Sequence, residues 1–150
     1  MTKFADKTVL ITGGASGIGK IMALKILQLG ASNMIIWDIN KENIDSAVAE
    51  FKNAGYILHS FKVDVSDLNQ IKQTAKAVKE QFGRVDILIN NAGIVVGKYF
   101  HEHSHEEIDR TMQINTLALM HITHEFLWDM IEKDQGHIVN IASAAGMVSN

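Results

Sequence analysis

Hydrophobic residues follow two alternating patterns along this 150-residue chain. Four short segments are apolar at nearly every position, which is typical of strands buried on both faces of a parallel sheet. They are residues 8–11, 34–37, 85–89 and 138–141. A fifth segment, residues 56–65, is interrupted by His59, Ser60 and Lys62, so we expect it at an edge of the sheet.

The stretches between these segments have the composition and apolar spacing of helices. The predicted helices cover residues 17–29, 41–54, 67–82 and 105–133. Asn40, Ser66 and Ser104 are candidate N-caps, and Glu107 completes a capping-box pattern with Ser104. Strands and helices that alternate with short connections predict right-handed βαβ units. The expected fold is therefore a doubly wound parallel α/β sheet of the Rossmann type, with three αβα layers.

The last predicted helix contains one residue that its hydrophobic pattern does not explain. Its apolar stripe passes through Ile108, Met112, Asn115, Leu119, Ile122 and Phe126. Asparagine is unfavourable inside a helix because its amide competes for backbone hydrogen bonds. A locally satisfied polar residue, a helix kink or a functional role would each explain Asn115.

Composition narrows the range of partners and locations. The 14 Lys and Arg are scattered, and the net charge is -3, so we expect no nucleic-acid partner. The absence of cysteine excludes disulfides and a cysteine nucleophile and fits a reducing compartment, so we expect the cytoplasm. The charged first residues run directly into a strand, unlike a secretory signal, and no apolar segment is long enough to span a membrane, so we expect no membrane partner.

The histidines and tryptophans have ordinary structural interpretations. Three histidines alternate in a predicted loop and two lie about one turn apart on a helix; they are His101, His103, His105, His121 and His124. Metal ligands need fixed geometry and supporting hydrogen bonds, so we interpret these histidines as a polar loop and a helix surface and expect no metal site. Trp37 and Trp128 are interpreted as packing or interface residues.

A glycine-rich segment, Thr12-Gly13-Gly14-Ala15-Ser16-Gly17-Ile18-Gly19, follows the first predicted strand and opens the first helix. A tight turn alone would explain a cluster of glycines. Between a strand and a helix, however, glycines let the backbone approach a pyrophosphate, and the helix N-terminus offers it unpaired N–H groups. The segment therefore predicts a dinucleotide site.

Asp38 ends the second predicted strand, nineteen residues after Gly19. At this place a carboxylate can accept hydrogen bonds from the adenosine ribose hydroxyls. It would repel a 2′-phosphate by about 4 kcal/mol per pair of unit charges at about 4 Å and an effective dielectric of about 20. The glycine-rich segment has no Lys or Arg before Gly19, so NAD is favoured over NADP. A carboxylate that merely caps the following turn remains the alternative.

Five motifs occur in a fixed order along the chain. They are the glycine-rich segment, Asp64-Val65, Asn90-Asn91-Ala92-Gly93, Asn115 and Ser143. In this order they resemble the short-chain dehydrogenase/reductase family. The resemblance implies a Rossmann fold, hydride transfer between a nicotinamide cofactor and a secondary alcohol or ketone, and assembly as a homodimer or homotetramer. Residues 136–146 are similar to the branch that contains retinol and 17β-hydroxysteroid dehydrogenases.

The resemblance also implies a role for each motif along the dinucleotide. Asp38 would bind the adenosine ribose, and Asp64 and Val65 would contact the adenine. Asn90 would be structural. The residues implied for the phosphates are Gly13, Ser16, Gly17, Ile18 and Gly19, and those beside the second half of the cofactor are Asn91, Ala92 and Gly93.

Two catalytic roles follow from the same resemblance. Ser143 would hydrogen-bond the reacting oxygen of the substrate, and Asn115 would bend its helix so that a backbone carbonyl can hold a water in a proton relay. The family's Tyr-x-x-x-Lys acid/base motif has no match, because Tyr56 and Tyr99 stand in other contexts. We therefore expect residues 1–150 to be an incomplete NAD-binding domain, ending after the fifth strand and inactive alone. The alternative is a non-catalytic NAD-sensing or interaction module.

Overall fold

A parallel five-stranded sheet forms the centre of the computed structural model, which describes residues 3–143. The strands are β1 Thr8–Thr12, β2 Asn33–Asp38, β3 His59–Lys62, β4 Ile87–Asn90 and β5 His137–Asn140. Their spatial order is β3-β2-β1-β4-β5, and every neighbouring pair is parallel. The expectation of β3 at an edge is confirmed, although β3 is much shorter than the predicted segment.

Helices cover both faces of this sheet. They are α1 Gly17–Gln28, α2 Lys41–Asn53, α3 Leu68–Phe82, α4 His105–Met112 and α5 Ala118–Glu132. Side chains of β1 alternate between two cores: Val9 and Ile11 pack with α1 and α2, whereas Leu10 packs with α3 and α5. Strands buried on both faces explain the uninterrupted apolar segments, and the three-layer doubly wound fold is confirmed.

The strand order reverses direction between β1 and β4. The chain runs outward from β1 through β2 to β3, then crosses back so that β4 lies on the other side of β1. In open α/β sheets, ligands bind outside the carboxyl ends of the strands at such a switch point. Thr12 and Asn90 end these two strands, so the segments that follow them border the expected crevice.

The start of α3 differs from the prediction by one residue. Asp67, not Ser66, is the N-cap: its Oδ1 accepts from the backbone N–H groups of Asn69 and Gln70. The Ser66 hydroxyl instead donates to Asp64 Oδ1 at 2.6 Å. The capping roles of Asn40 and of Ser104 with Glu107 are confirmed.

The long C-terminal helix also differs, because a π-helical segment, Gln113–Leu117, separates α4 from α5. The buried stripe of this whole helical region consists of Ile114, Ala118, Ile122, Phe126 and Met130. The prediction that Met112 and Asn115 lie on the buried face is wrong, since both are exposed. The extra residue in a π turn shifts the phase of the helix, so one period does not fit both halves.

The two tryptophans occupy different environments. Trp37 is fully buried and its ring lies 5.9 Å from that of Phe126, which confirms a packing role. Trp128 is 65% exposed on α5. Between residues 3 and 143, no helix combines the length and apolar character needed to cross a bilayer.

Candidate active site

The glycine-rich segment folds tightly against the start of α1. A Cβ on Gly19 would lie 2.2 Å from the carbonyl oxygen of Gly13, a distance that no side chain tolerates. Gly17 begins α1 with φ +51, and no atom lies within 4 Å of the position its Cβ would take. The backbone is therefore open to a ligand at Gly17 and closely packed at Gly19, as a phosphate-binding turn requires.

Thr12 connects this segment to the residues that follow β4. Its hydroxyl oxygen accepts from the backbone N–H groups of Asn91 and Ala92, each at 3.0 Å. The side-chain amide of Asn91 donates back to the carbonyl oxygens of Thr12 and Gly13, at 3.0 and 3.1 Å. The carboxyl ends of β1 and β4 are thus joined by four hydrogen bonds.

Asp38 lies at the end of β2 and holds two neighbouring segments. Its Oδ2 accepts from the N–H of Ala15 in the glycine-rich segment at 3.1 Å, and its Oδ1 accepts from Asn40 N–H at 3.0 Å. Asp38 therefore does cap the following turn, but it also fixes the glycine-rich segment. Each carboxylate oxygen has a second lone pair, so these contacts leave capacity for ligand hydroxyls.

Asp64 and Val65 follow β3 on the other side of the same crevice. Asp64 Oδ1 accepts from both the N–H and the hydroxyl of Ser66, at 2.9 and 2.6 Å. Val65 is 8% exposed and belongs to the core that includes Trp37. The pair thus offers a carboxylate beside a small apolar surface.

A cleft of about 530 Å³ brings together all the residues predicted to bind the cofactor. They are Gly13, Ser16, Gly17, Ile18, Gly19, Asp38, Asp64, Val65, Asn91, Ala92 and Gly93. The cleft also includes Ile39, Ile94 and Arg110, which sequence analysis did not select. Residues from five separate segments therefore converge on one cavity, which we call the cofactor cleft.

A second cleft, of about 1020 Å³, contains both predicted catalytic residues, Asn115 and Ser143. We call it the substrate cleft. It shares Asn91, Ala92 and Gly93 with the cofactor cleft, so the two cavities meet beside the segment after β4. Most of its other lining is apolar, with Ile94, Val95, Val96, Leu119, Ile122 and Ile141 among the residues.

Asn115 lies in the π-helical segment, and its side chain binds the segment after β4. Its Oδ1 accepts from Ile94 N–H at 2.9 Å, and its Nδ2 donates to Ile94 O at 2.8 Å. A Cβ on Gly93 would lie 3.4 Å from Asn115 Oδ1. The helix irregularity predicted for Asn115 is present, and its amide positions the backbone where the two clefts meet.

Asn90 lies beneath this junction. It is 4% exposed, and its Nδ2 donates to Thr123 Oγ1 at 3.1 Å and to Asn140 Oδ1 at 2.9 Å. These bonds connect β4 to α5 and β5, in keeping with the structural role expected of Asn90. Within residues 3–143 its buried Oδ1 has no partner, and Asn90 lines the substrate cleft.

The segment from Lys98 to Glu107 borders the substrate cleft and is internally bonded. Lys98 Nζ contacts Glu107 Oε1 at 2.6 Å, and Glu107 Oε2 accepts from Ser104 N–H at 3.0 Å. The Lys98 ammonium and then the Ser104 N–H lower the pKa of Glu107 below its ordinary value. His103, from this segment, lines the substrate cleft.

Several cleft residues were missed by sequence analysis. Thr12 had a detectable signal, because it stands at the strand end within the recognised motif. Arg110 had none, and His103 was interpreted only as part of a polar loop, because only tertiary structure brings α4 and the preceding segment to the clefts. Among residues 3–143, no group of three or more His, Asp or Glu side chains is arranged to hold a metal ion.

The doubly wound α/β fold and the paired clefts are typical of nucleotide-binding proteins. Sequence comparison identifies the family. Residues 7–150 match the family described as short chain dehydrogenase. The chain belongs to this family. It is 41% identical over 141 residues to estradiol 17-beta-dehydrogenase 11 of Homo sapiens, covering 94% of this chain and 47% of that protein.

A second relative is epidermal retinol dehydrogenase 2 of Homo sapiens, which is 40% identical over 144 residues, 95% of this chain and 46% of that protein. The expected similarity to the retinol and 17β-hydroxysteroid dehydrogenase branch is thus confirmed. The chain spans about half the length of these curated relatives.

Solved structures agree with this assignment. A short chain dehydrogenase/reductase from Burkholderia phymatum in complex with NAD is 32% identical, with a TM-score of 0.92 over 100% of this chain and 53% of that one. A metagenomic short-chain oxidoreductase in complex with NADP is 30% identical, with a TM-score of 0.90 over 99% of this chain and 67% of that one. A nicotinamide cofactor is supported, and both forms occur among the similar structures.

Proposed function

We propose that this chain supplies the cofactor-binding region and part of the catalytic site of an NAD-dependent oxidoreductase acting on secondary alcohols or ketones. The observation that carries this proposal is the junction of the two clefts. All the predicted cofactor residues line one cavity, and it meets a second cavity containing Asn115 and Ser143.

The residues of the cofactor cleft fit an elongated dinucleotide. The open backbone at Gly17 and the N-terminus of α1 suit the phosphates, because unpaired N–H groups and the helix dipole favour anions. Asp38 would hold the adenosine ribose, and Asp64 and Val65 would flank the adenine. Asn91, Ala92 and Gly93 would lie beside the nicotinamide half, where the clefts meet.

The substrate cleft supplies polar groups beside an apolar lining. A bound nicotinamide cofactor would donate or accept the hydride. The Ser143 hydroxyl would hydrogen-bond the reacting oxygen of the substrate and stabilise charge that develops on it. Asn115 would hold Ile94 and the adjoining backbone in place, and the π-helical segment would orient a backbone carbonyl towards a water in the proton relay.

We further propose that NAD is preferred over NADP. Asp38 is tied to the glycine-rich segment through Ala15 N–H, so its negative charge is fixed beside the expected ribose position. Among residues 3–143, Arg110 is the cation lining the same cleft that could offset this charge. We propose that Asp38 dominates, because it is held by two hydrogen bonds, whereas Arg110 lies on an exposed part of α4.

The test uses the purified full-length protein. NAD or NADP is mixed with a panel of secondary alcohols, and the reduced cofactor is followed by absorbance; the reverse reaction uses ketones. Turnover with NAD and a secondary alcohol supports the proposal. Cofactor binding without turnover on any alcohol or ketone would favour a sensing or interaction module instead.

A polypeptide limited to these 150 residues is expected to lack activity, because it contains no Tyr-x-x-x-Lys segment to exchange the proton. Assaying it beside the full-length protein tests this point. Assembly as a dimer or tetramer and a cytoplasmic location are also proposed, from the family resemblance and the absence of cysteine respectively. Light scattering and fractionation of expressing cells would test these two proposals.

A further inference from the structure

Arg110 brings a cation from α4 to the lining of the cofactor cleft. Gln113 and Ile114 follow it by three and four residues, a spacing that places all three on one side of a helix. Ile114 is 9% exposed and lines the same cleft. Gln113 Nε2 donates to the carbonyl oxygen of Ser66 at 3.3 Å, so this side of the helix faces the loop after β3.

The loop after β3 also carries Asp64 and Val65, the two residues proposed to flank the adenine. Ser66 follows them directly, so its hydrogen bond to the helix fixes α4 beside this end of the cleft. Val65 and Ile114 belong to one hydrophobic core and both line the cleft, where they offer a flat base an apolar surface. Arg110 therefore lies at the adenine end of the cavity.

The guanidinium of Arg110 is not engaged by its neighbours on the helix. Among residues 3–143 it has no hydrogen bond and no ion pair. Glu107, three residues earlier on the same helix, is already bound to Lys98. Arg110 is also exposed, so its cationic group is available to a bound ligand.

Two parts of a dinucleotide could use a cation in this cleft, the adenine ring and a 2′-phosphate. A guanidinium is planar and weakly hydrated, and it packs favourably on the face of an aromatic ring. A 2′-phosphate would lie beside the carboxylate of Asp38, at the end of β2, which repels it. Arg110 shares its side of the helix with the residue that contacts the loop after β3, which favours the adenine.

We propose that Arg110 is a further cofactor-binding residue, whose guanidinium packs on the adenine ring of the dinucleotide. This inference rests on the proposed function, because it takes the adenine to lie beside Asp64 and Val65. The base would then be held by residues of two segments, the loop after β3 and α4. Arg110 contributes to cofactor affinity and takes no part in hydride transfer.

The test measures how AMP, the adenine half of the cofactor, binds to the full-length protein prepared without cofactor. Calorimetry gives dissociation constants for AMP and for adenosine 2′,5′-bisphosphate, and fluorescence titration gives the affinity for NADH. Arg110→Met keeps an unbranched side chain but removes the guanidinium. We expect it to bind AMP and NADH about two- to fivefold more weakly, the range of an exposed cation–aromatic contact. Arg110→Lys keeps the charge without the planar group and should also bind AMP more weakly than the wild type.

Lys72→Met is the matched control, because it removes one positive charge from an exposed position of α3 outside the described lining of both clefts. Its AMP affinity should equal that of the wild type, and thermal stability should be similar in all variants. Three results would overturn the inference: no loss in Arg110→Met, equal losses in Arg110→Met and Lys72→Met, or wild-type AMP affinity in Arg110→Lys.

Adenosine 2′,5′-bisphosphate separates the two parts of the dinucleotide. A clearly larger loss for this ligand than for AMP in Arg110→Met would assign the arginine to a phosphate and would also overturn the inference. Failure of the wild type to bind AMP would do the same. The expected losses of AMP and NADH affinity, without turnover on any alcohol or ketone, would instead count against the proposed oxidoreductase function alone.

Discussion

The side-chain amide of Asn115 pairs with both backbone polar groups of Ile94, as a neighbouring strand would. Oδ1 accepts from the Ile94 N–H at 2.9 Å and Nδ2 donates to the Ile94 carbonyl at 2.8 Å. The long helix is thereby joined to the segment after β4 at the place where the two clefts meet. Asparagine is suited to this position because a single side chain supplies both a donor and an acceptor.

Replacing Asn115 should therefore affect both stability and turnover. We expect Asn115→Ala to lower the free energy of unfolding by about 1 to 2 kcal/mol, the net value of two hydrogen bonds. Asn115→Asp should be at least as damaging, since an oxygen would then face the Ile94 carbonyl. The measurements are chemical denaturation and kcat for the full-length protein. Asn53→Ala, at an exposed helix end, is the control and should change neither.

The sequence predicted those parts of the fold that depend on local rules. Apolar segments such as residues 34–37 could be predicted as strands because β2 is covered on both faces. The glycine-rich segment could be predicted as a ligand-binding turn because its strand, turn and helix are contiguous in the sequence. The buried stripe of the long helix was predicted wrongly. Helical periodicity assumes a constant number of residues per turn, and the π-helical Gln113–Leu117 breaks it.

Other features depended on which of two neighbouring residues caps a helix, or on contacts between residues that are distant in the sequence. Ser66 and Asp67 are both good N-caps, and in the structure Asp67 caps the helix while the Ser66 hydroxyl bonds to Asp64. His103 lies far along the chain from Thr12 and Gly13, and only the sheet order brings their segments to the same region. No single-sequence pattern contains that information.

Thr12 provides a second test, because its hydroxyl is the acceptor for two backbone N–H groups. Thr12 is 2% exposed, so Thr12→Val would leave the N–H groups of Asn91 and Ala92 without this acceptor. We expect a loss of about 1 to 3 kcal/mol in stability, with weaker NADH binding. Thr12→Ser keeps the hydroxyl and should retain most of both. Fluorescence titration measures NADH affinity, and denaturation measures stability, for the wild type and the two variants. Equal losses in Thr12→Val and Thr12→Ser would contradict the role assigned to the hydroxyl.

Cofactor preference should depend on the charge of Asp38. In the full-length protein, Asp38→Ala with Ile39→Arg should shift the ratio of kcat/KM values for NAD and NADP towards NADP by about tenfold or more, as repulsion is replaced by attraction. Asp38→Asn is an informative control, since it can still accept from Ala15 N–H but has no charge. If the wild type used NADP more efficiently, the assigned role of Asp38 would be wrong.

Acid sensitivity should reveal the cap of α3. Hydrogen bonds from Gln70 and Asn69 lower the pKa of Asp67 from its ordinary 3.8, so the folded protein favours the carboxylate. Its stabilisation is present above pH 3.8 and is lost as the pH falls through the lower folded-state value. Asp67→Asn keeps a neutral cap and should flatten this part of the stability profile, whereas Ser66→Ala should not. Thermal unfolding across acid pH would show an unchanged profile in Asp67→Asn if another carboxylate were responsible.

Ser143 is expected to act on the reaction rather than on cofactor binding. It lines the substrate cleft and is absent from the lining of the cofactor cleft, so Ser143→Ala should leave NADH affinity nearly unchanged. Loss of one donor to a developing oxyanion typically costs about 2.7 to 4 kcal/mol, which corresponds to roughly a hundred- to thousandfold lower kcat.

Thr111→Val is the matched control, because its hydroxyl lines the same cleft but already donates to Glu107 O. That variant should retain most of its turnover. The comparison pairs NADH affinity from fluorescence titration with kcat from the absorbance assay, and equal losses in both quantities for Ser143→Ala would assign the serine a structural role instead.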